Sequence, residues 1–482
     1  MTFPLSISQL TKIVHGVLTD SGYSHDRVSG GCIDSRTTAF GDCFFALKGE
    51  KTHGVLFADQ AIARGAACVV TDSAASAAKP SKVMPAMPSL AAIDSAESDG
   101  RIIRVADSVF ALQLFGRWNR QQSDALVVGV TGSVGKTTTR QMITHVLASR
   151  FSGVQSQHNY NNEIGVPLSL LQLSPEHDFA VFELAAGQVG DIAILADMVR
   201  PEFAVVTRVA ATHLESFGDL DAIREAKSEL PAAVASGGTV FLNADDPAVR
   251  SMAGATMANV VLFGTTADAD FRATSIFSRD GICQFNVDGQ SYQIQGASHL
   301  VTGAVAAIAV GRTAGLNASE IAQGLANYQL DAGRGRILQR HPWTVIDETY
   351  NASPASVLAA IQTLNDCVSA RRRILVLGDM LELGPQSIRF HREVGRALKE
   401  SRIDHALMFG EFADAVASGA VQTGVSLNRL SVFRDMTTLN VMLDCLLTPG
   451  DAVLIKGSRS MHMERVVMSL CAPDNQGRRS AA

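Results

Sequence analysis

The sequence predicts an α/β protein in three parts: a small mixed α/β N-terminal domain, a central domain on a parallel sheet carrying a phosphate loop, and a C-terminal Rossmann-like, doubly wound domain. Three observations predict it. The chain has 482 residues, and domains usually take roughly 100–200. From about residue 107 onward, continuous apolar runs alternate with stretches of helical period, the pattern of parallel strands buried on both faces. DAGRGR (331–336) interrupts that alternation, which then starts again. The expected bounds are 1–106, 107–330 and 331–482.

The elements follow in chain order. The first block holds strand-like runs CFFAL and CVVT and a helix-like stretch FADQAIARGA. Between Asp72 and Arg101, an Ala-, Ser- and Pro-rich segment reads as a long loop. The second block opens with a helix over Ser108–Gln121, followed by the strand ALVVGV. AVFEL, FAVVT and TVFLNADD alternate with helices, and the block closes with helices over 301–314 and Ser319–Tyr328. The third block runs WTVIDE, a helix over 354–368, RRILVLGD, a helix over 387–401, HALMFG, a helix, DAVLIKG and a last helix. DNQGRRSAA reads as a frayed tail.

Composition removes several function classes. Hydrophobic residues make up 46% and charged residues 18%, enough to bury large cores, which excludes a wholly disordered chain. A formal net charge of −6 supplies no basic field for nucleic acid, so no nucleic-acid partner is expected. The 7 cysteines are scattered and form no Cys-x-x-Cys pair, which argues against a disulfide scaffold or zinc knuckle and fits a reducing compartment. MTFPLSISQLTKIV lacks the basic and apolar regions of a signal peptide. The longest apolar run, 299–311, is too short to span a bilayer. The expectation is a soluble, cytoplasmic protein without stable membrane association.

Residues 125–147 read as strand, Gly-rich turn and helix. The strict pattern G-x-x-x-x-G-K-[ST] fails, because Val130 stands where its first Gly belongs; the shorter T-G-x-x-G-K-T is present from Thr131 to Thr137. Thr131, Gly132, Ser133, Val134, Gly135, Lys136, Thr137 and Thr138 are the expected nucleotide cradle. The glycines let backbone N–H groups curl around phosphate at a helix N-terminus. Lys136 adds positive charge for the terminal phosphates, and the Thr137 hydroxyl suits Mg²⁺. Three further residues are ambiguous alone. Glu183 closes AVFEL, either as a metal carboxylate facing the crevice or as an ordinary strand-end acid. His213 is either a ligand or a packing residue. Lys227, on a helical stretch, is either functional or solvated.

TGSVGKTT, HNYNNEIGVP, FELAAG, HLESFG, EAKSEL and LNADDP, in that order, resemble the Mur ligases, ATP-dependent amide-bond ligases of peptidoglycan precursor synthesis in cell-wall formation. The resemblance covers nearly the whole chain. It implies ATP and Mg²⁺ as cofactors, with catalytic roles for Lys136, Lys227 and His213. It further implies that Lys227 is carbamylated by CO₂, becoming a carboxylate-like ligand that holds a second Mg²⁺ with Glu183 and His213. DSRTTAFGDCFFALKGEKTHGVLF (34–57) resembles the family's uridine-nucleotide-binding domain, which folylpolyglutamate synthases lack, and offers Ser35 and Arg36 as contacts. His53, Gly54 and Val55 depart from the usual D-G-H order there.

In the third block, IDETYNASPASV, VLGDMLELG and LIKGSRSMHMERVV resemble the branch that adds D-Ala-D-Ala, and the D-N-P-R signature of the diaminopimelate-adding branch is absent. The implied substrates are UDP-MurNAc-tripeptide and D-Ala-D-Ala, handled by a monomer. Asn159, Asn162, Arg336, Tyr350 and Asn351 are the implied further nucleotide contacts, with Arg334 the rival of Arg336. Lys456 and Arg459 would face the substrates. The family usually has Asn at Arg208 and amides at Leu300 and Gly303; Asn159, Asn161 and Asn162 could cover part of that gap, and weaker discrimination of ATP from GTP is expected. The rivals are a sister ligase with another amino acid, and an ATP-binding switch that forms no amide.

Overall fold

A computed structural model describes residues 5–49, 52–72, 101–157, 159–212, 214–340 and 342–472. The Ala-, Ser- and Pro-rich segment, the tail and His213 lie outside them.

The first sheet has five strands, in the order Val17–Leu18, Ile102–Val105, Cys68–Asp72, Asp42–Ala46, Gly30–Cys32. Only the first pair is antiparallel, so the unit is mixed, as expected. The helix Ser108–Gln121 has the expected bounds, with Asp107 capping it by accepting the Phe110 N–H. Its packing is less expected. Although it opens the second block in sequence, Leu112 and Phe115 join the core of the first sheet with Phe45 and Val70. Leu168 and Leu171 of the central domain enter the same core, so this helix is a shared wall rather than a clean boundary.

The central sheet has seven strands, in the order Phe271–Arg272, Asn259–Gly264, Thr239–Asn243, Phe203–Val206, Leu126–Thr131, Phe179–Glu183, Gly153–Gln155, and every pairing is parallel. Cores lie on both faces. Val128, Val181 and Val205 face one; Val127, Ala180 and Val206 face the other. The Ala-rich helix is Val301–Thr313, packed against the helix Lys136–Leu147 that follows the phosphate loop.

One unit is absent from the sequence reading: an antiparallel three-stranded sheet, Thr274–Arg279, Ile282–Val287, Gln290–Gln295. Its signal was present. Asp280-Gly281 and Asp288-Gly289 take positive φ (48°, 83°; 50°, 75°), as two-residue hairpin turns require. Cys283, Phe285 and Val287 alternate inward onto the central core.

The third sheet has six strands, in the order Arg336–Arg340, Trp343–Glu348, Ala452–Lys456, Arg373–Gly378, His405–Phe409, Leu430–Phe433. It is parallel except for its first strand, an antiparallel edge of which only Arg336 falls in the expected junction 331–336 and the rest has no assigned element in the sequence reading. Among the described residues, no helix is long and apolar enough to cross a membrane.

Candidate active site

The phosphate-loop strand lies between Phe179–Glu183 and Phe203–Val206, with Glu183 opposite Val130 and Val206 opposite Thr131. Loop, carboxylate and the segment after Val206 therefore meet at the carboxyl edge, where open parallel sheets bind ligands. Gly132 has φ +143°, and a Cβ there would stand 2.0 Å from Thr207 Oγ1. Gly135, at φ +86°, caps the helix Lys136–Leu147 and turns its N–H groups toward the loop. Thr207, which the sequence reading passed over, fastens the loop by donating to the carbonyls of Val134 (2.7 Å) and Thr131 (3.2 Å). The Thr131 hydroxyl donates to Leu184 O at 2.8 Å, and Ser133 through Thr139 line the cleft above.

Lys136 Nζ donates to the Gly132 carbonyl at 2.8 Å. Burial lowers its proton affinity, and the Glu183 carboxylate opposes that shift. The Thr137 hydroxyl donates to Glu183 Oε2 at 2.7 Å, and Asn161 Nδ2 donates to Oε1 at 2.8 Å. Thr137 and Glu183 thus offer two hard oxygen donors side by side at the phosphate position, which suits Mg²⁺. Among the described residues, no group of three His, Cys, Asp or Glu side chains could hold a metal. The expected set needs a hydroxyl and a modified lysine as well, and His213 is outside the description, although Thr212 and Ser216 beside it line the cleft.

Lys227 is 4% exposed, on the helix Leu220–Ala233. Its Nζ stands 5.7 Å from the centre of the Phe217 ring. Burial, and then the charge of Lys136, lower its pKa from 10.5 to about 7. Near neutral pH a large fraction is therefore free amine, a nucleophile rather than a cation.

The cleft encloses about 1550 Å³ and takes walls from all three domains. Lys48, Asp72, Phe110 and Gln113 form the first wall. Asn159 and Asn162 line the central part, and Asn162 Oδ1 accepts the Gly165 N–H at 2.9 Å, starting the helix Gly165–Leu170. Arg334, Tyr350, Asn351, Lys456 and Arg459 form the third wall. The Arg334 guanidinium stacks on Tyr350, 3.7 Å from its ring centre. Lys456 Nζ pairs with Glu348 Oε2 at 3.2 Å and donates to Asn351 O at 2.9 Å.

Three expected contacts are not brought to the cleft. Arg336 is an exposed residue of the edge strand, opposite Asp347, and Arg334 occupies the wall instead. Ser35 donates to Gln60 Oε1 at 2.7 Å. Arg36 pairs with Asp34 at 2.7 Å with its side chain 81% exposed. From the first sheet, Lys48 lines the cleft instead; it follows the parallel strand Asp42–Ala46 at the carboxyl end. Leu300 and Gly303 line the cleft, and a Cβ on Gly303 would stand 2.9 Å from Thr139 Oγ1.

A UDP-N-acetylmuramoyl-tripeptide–D-alanyl-D-alanine ligase from Escherichia coli is 33% identical to the chain over 97% of this chain and 98% of its own length. The chain belongs to the Mur ligase family. A Synechocystis Mur ligase of the same name is 35% identical, over 95% of each chain. Residues 27–108 match the Mur ligase family catalytic domain, 130–311 the Mur ligase middle domain and 333–459 the Mur ligase glutamate ligase domain. Among solved Mur ligases, MurF from Acinetobacter baumannii superposes with a TM-score of 0.84 at 29% identity, covering 98% of this chain and 99% of that one. MurF from Thermotoga maritima, solved in complex with ADP, superposes at 0.78 with 26% identity, covering 94% and 99%.

Proposed function

We propose that the chain joins D-Ala-D-Ala to UDP-MurNAc-tripeptide at the expense of ATP, giving UDP-MurNAc-pentapeptide, ADP and phosphate. The observation that carries this reading is one cleft bounded by three domains, with the phosphate loop on its central wall. It gives a nucleotide, an acceptor carboxylate and an incoming amine a shared space, as a three-substrate ligation needs. The full-length likeness to ligases of that name supports the substrate pair.

A carboxylate and an amine do not condense at neutral pH, because oxide is too poor a leaving group. In the proposed reaction the terminal tripeptide carboxylate attacks the γ-phosphorus, and ADP leaves. The dipeptide amine then attacks the acyl phosphate, and phosphate departs from a tetrahedral intermediate. Lys136 and the loop N–H groups hold the phosphates and offset charge on the moving phosphoryl group. Thr137 and Glu183 would hold one Mg²⁺; Glu183, His213 and a carbamate on Lys227 would hold a second. Bound metal neutralises phosphate charge and draws the carboxylate to the nucleotide. The partly neutral Lys227 amine has the nucleophilicity that CO₂ capture demands. Arg334, Tyr350 and Asn351 would cover the nucleotide, with Lys456 and Arg459 toward the dipeptide. Closing the walls excludes water from the acyl phosphate.

The test is phosphate release from ATP with Mg²⁺ and UDP-MurNAc-tripeptide, with and without D-Ala-D-Ala. Release that depends on both substrates, with a pentapeptide product, is expected; release indifferent to the dipeptide overturns the assignment.

A further inference from the structure

Arg208 stands just past the strand Phe203–Val206, at the sheet edge that carries the phosphate loop. Its backbone is stitched to that loop. The Arg208 carbonyl accepts the Ser133 N–H at 2.6 Å. Its N and O would stand 3.0 and 3.1 Å from a Cβ on Gly132. Lys136 Nζ rests on the carbonyl of that same glycine, so the ammonium meant for the terminal phosphates lies at the Arg208 end of the loop. Arg208 is exposed and lines the cleft. Among the described residues its guanidinium has no hydrogen-bond or ion-pair partner. Arg120 and Arg372, by contrast, are tied down by carbonyls and carboxylates. The result is a backbone fixed to the phosphate loop and an exposed side chain, without a partner among the described residues, on the wall of the cleft that the loop lines.

We infer that Arg208 is a catalytic residue: an arginine acting in cis on the phosphoryl group in transfer. This rests on the proposed ATP-dependent ligation. In that step an oxygen of the substrate carboxylate forms a bond to the γ-phosphorus. The bond from phosphorus to the bridging oxygen breaks, and its electron pair stays on ADP; no proton moves. Charge redistributes over the equatorial and bridging oxygens. Lys136 meets it as a point charge, whereas a guanidinium presents two parallel N–H donors that span two oxygens. The loop N–H groups and Lys136 already hold the ground state, so Arg208 acts on the transition state and leaves nucleotide affinity nearly unchanged.

The test uses the full chain with Arg208→Met and, as a second uncharged variant should the first not fold, Arg208→Gln. Two readouts are taken: ADP formation in a single turnover with UDP-MurNAc-tripeptide, and the affinities for ADP and for ADP with aluminium fluoride. The expected result is a fall of about 10³-fold in the single-turnover rate, the range in which such arginines act. ADP affinity stays within about threefold, affinity for the aluminium fluoride complex falls, and added guanidinium restores part of the rate. An unchanged single-turnover rate, or a loss of ADP affinity as large as the loss of rate, overturns the proposal. The aluminium fluoride comparison needs no peptide, so it judges Arg208 even if wild-type turnover shows the substrate assignment to be wrong.

Discussion

Lys227 shows most clearly how position makes chemistry. In water a lysine amine is protonated at neutral pH; here burial and Lys136 bring its pKa to about 7. The unfolded chain then binds the proton more tightly than the folded one between about 7 and 10.5, so this residue's cost to stability is full below that window and disappears as pH rises through it. Lys227→Met should therefore raise the unfolding midpoint more at about pH 6 than at about pH 9 in CO₂-free buffer, a difference calorimetry reads directly. For activity, Lys227→Ala should be largely inactive yet partly rescued by acetate, and full activity without any additive would remove the carbamate. Lys136→Ala should abolish ligation without lowering the unfolding midpoint, as assays of ADP formation and thermal melts together would show.

At the scale of elements, the phosphate loop depends on close approach between neighbours. Gly132→Ala would drive a Cβ into Thr207 at a positive φ, and a strained turn costs about 1–3 kcal/mol. Nucleotide affinity should fall together with the unfolding midpoint, and retained ADP binding in calorimetric titration would contradict this account. The helix Val301–Thr313 poses the opposite question. Gly303 sits against Thr139 where the resemblance implies an amide, leaving no room there for a larger side chain without displacing the Thr139 hydroxyl. Weak discrimination of ATP from GTP is expected, and KM values for both nucleotides decide it; a large preference for ATP would refute it.

At the scale of the whole molecule, the cleft exists only because three sheets present their carboxyl edges to one space. The third wall can be tested by a matched pair. Arg334→Ala should impair turnover or nucleotide affinity by about tenfold or more through loss of the wall cation. Arg336→Ala, on the exposed edge strand, should leave both nearly unchanged. Equal effects in the two variants would mean that the domain arrangement at turnover differs from the one described.

The parts legible in the sequence were those whose signal is contiguous or periodic. Thr131–Thr137 could be read because a strand, a Gly-rich turn and a helix N-terminus must follow one another to bind phosphate. Glu183 could be read because it ends a buried strand. The parallel sheets could be read because burial on both faces demands unbroken apolar runs. The meander over 274–295 carries only a local signal in the sequence, its two Asp-Gly turns. What only the tertiary structure decided depends on residues far apart in the chain. Arg334 rather than Arg336 reaches the cleft because Arg336 is already the first residue of the antiparallel edge strand. Lys48 rather than Ser35 or Arg36 reaches it because of where the first sheet ends. The close approach of the Arg208 backbone to Gly132, and the low proton affinity of Lys227, follow from packing among separate strands and helices. Local sequence sets which groups and which elements are present; desolvation and the distances between charges are set only when those elements are brought together.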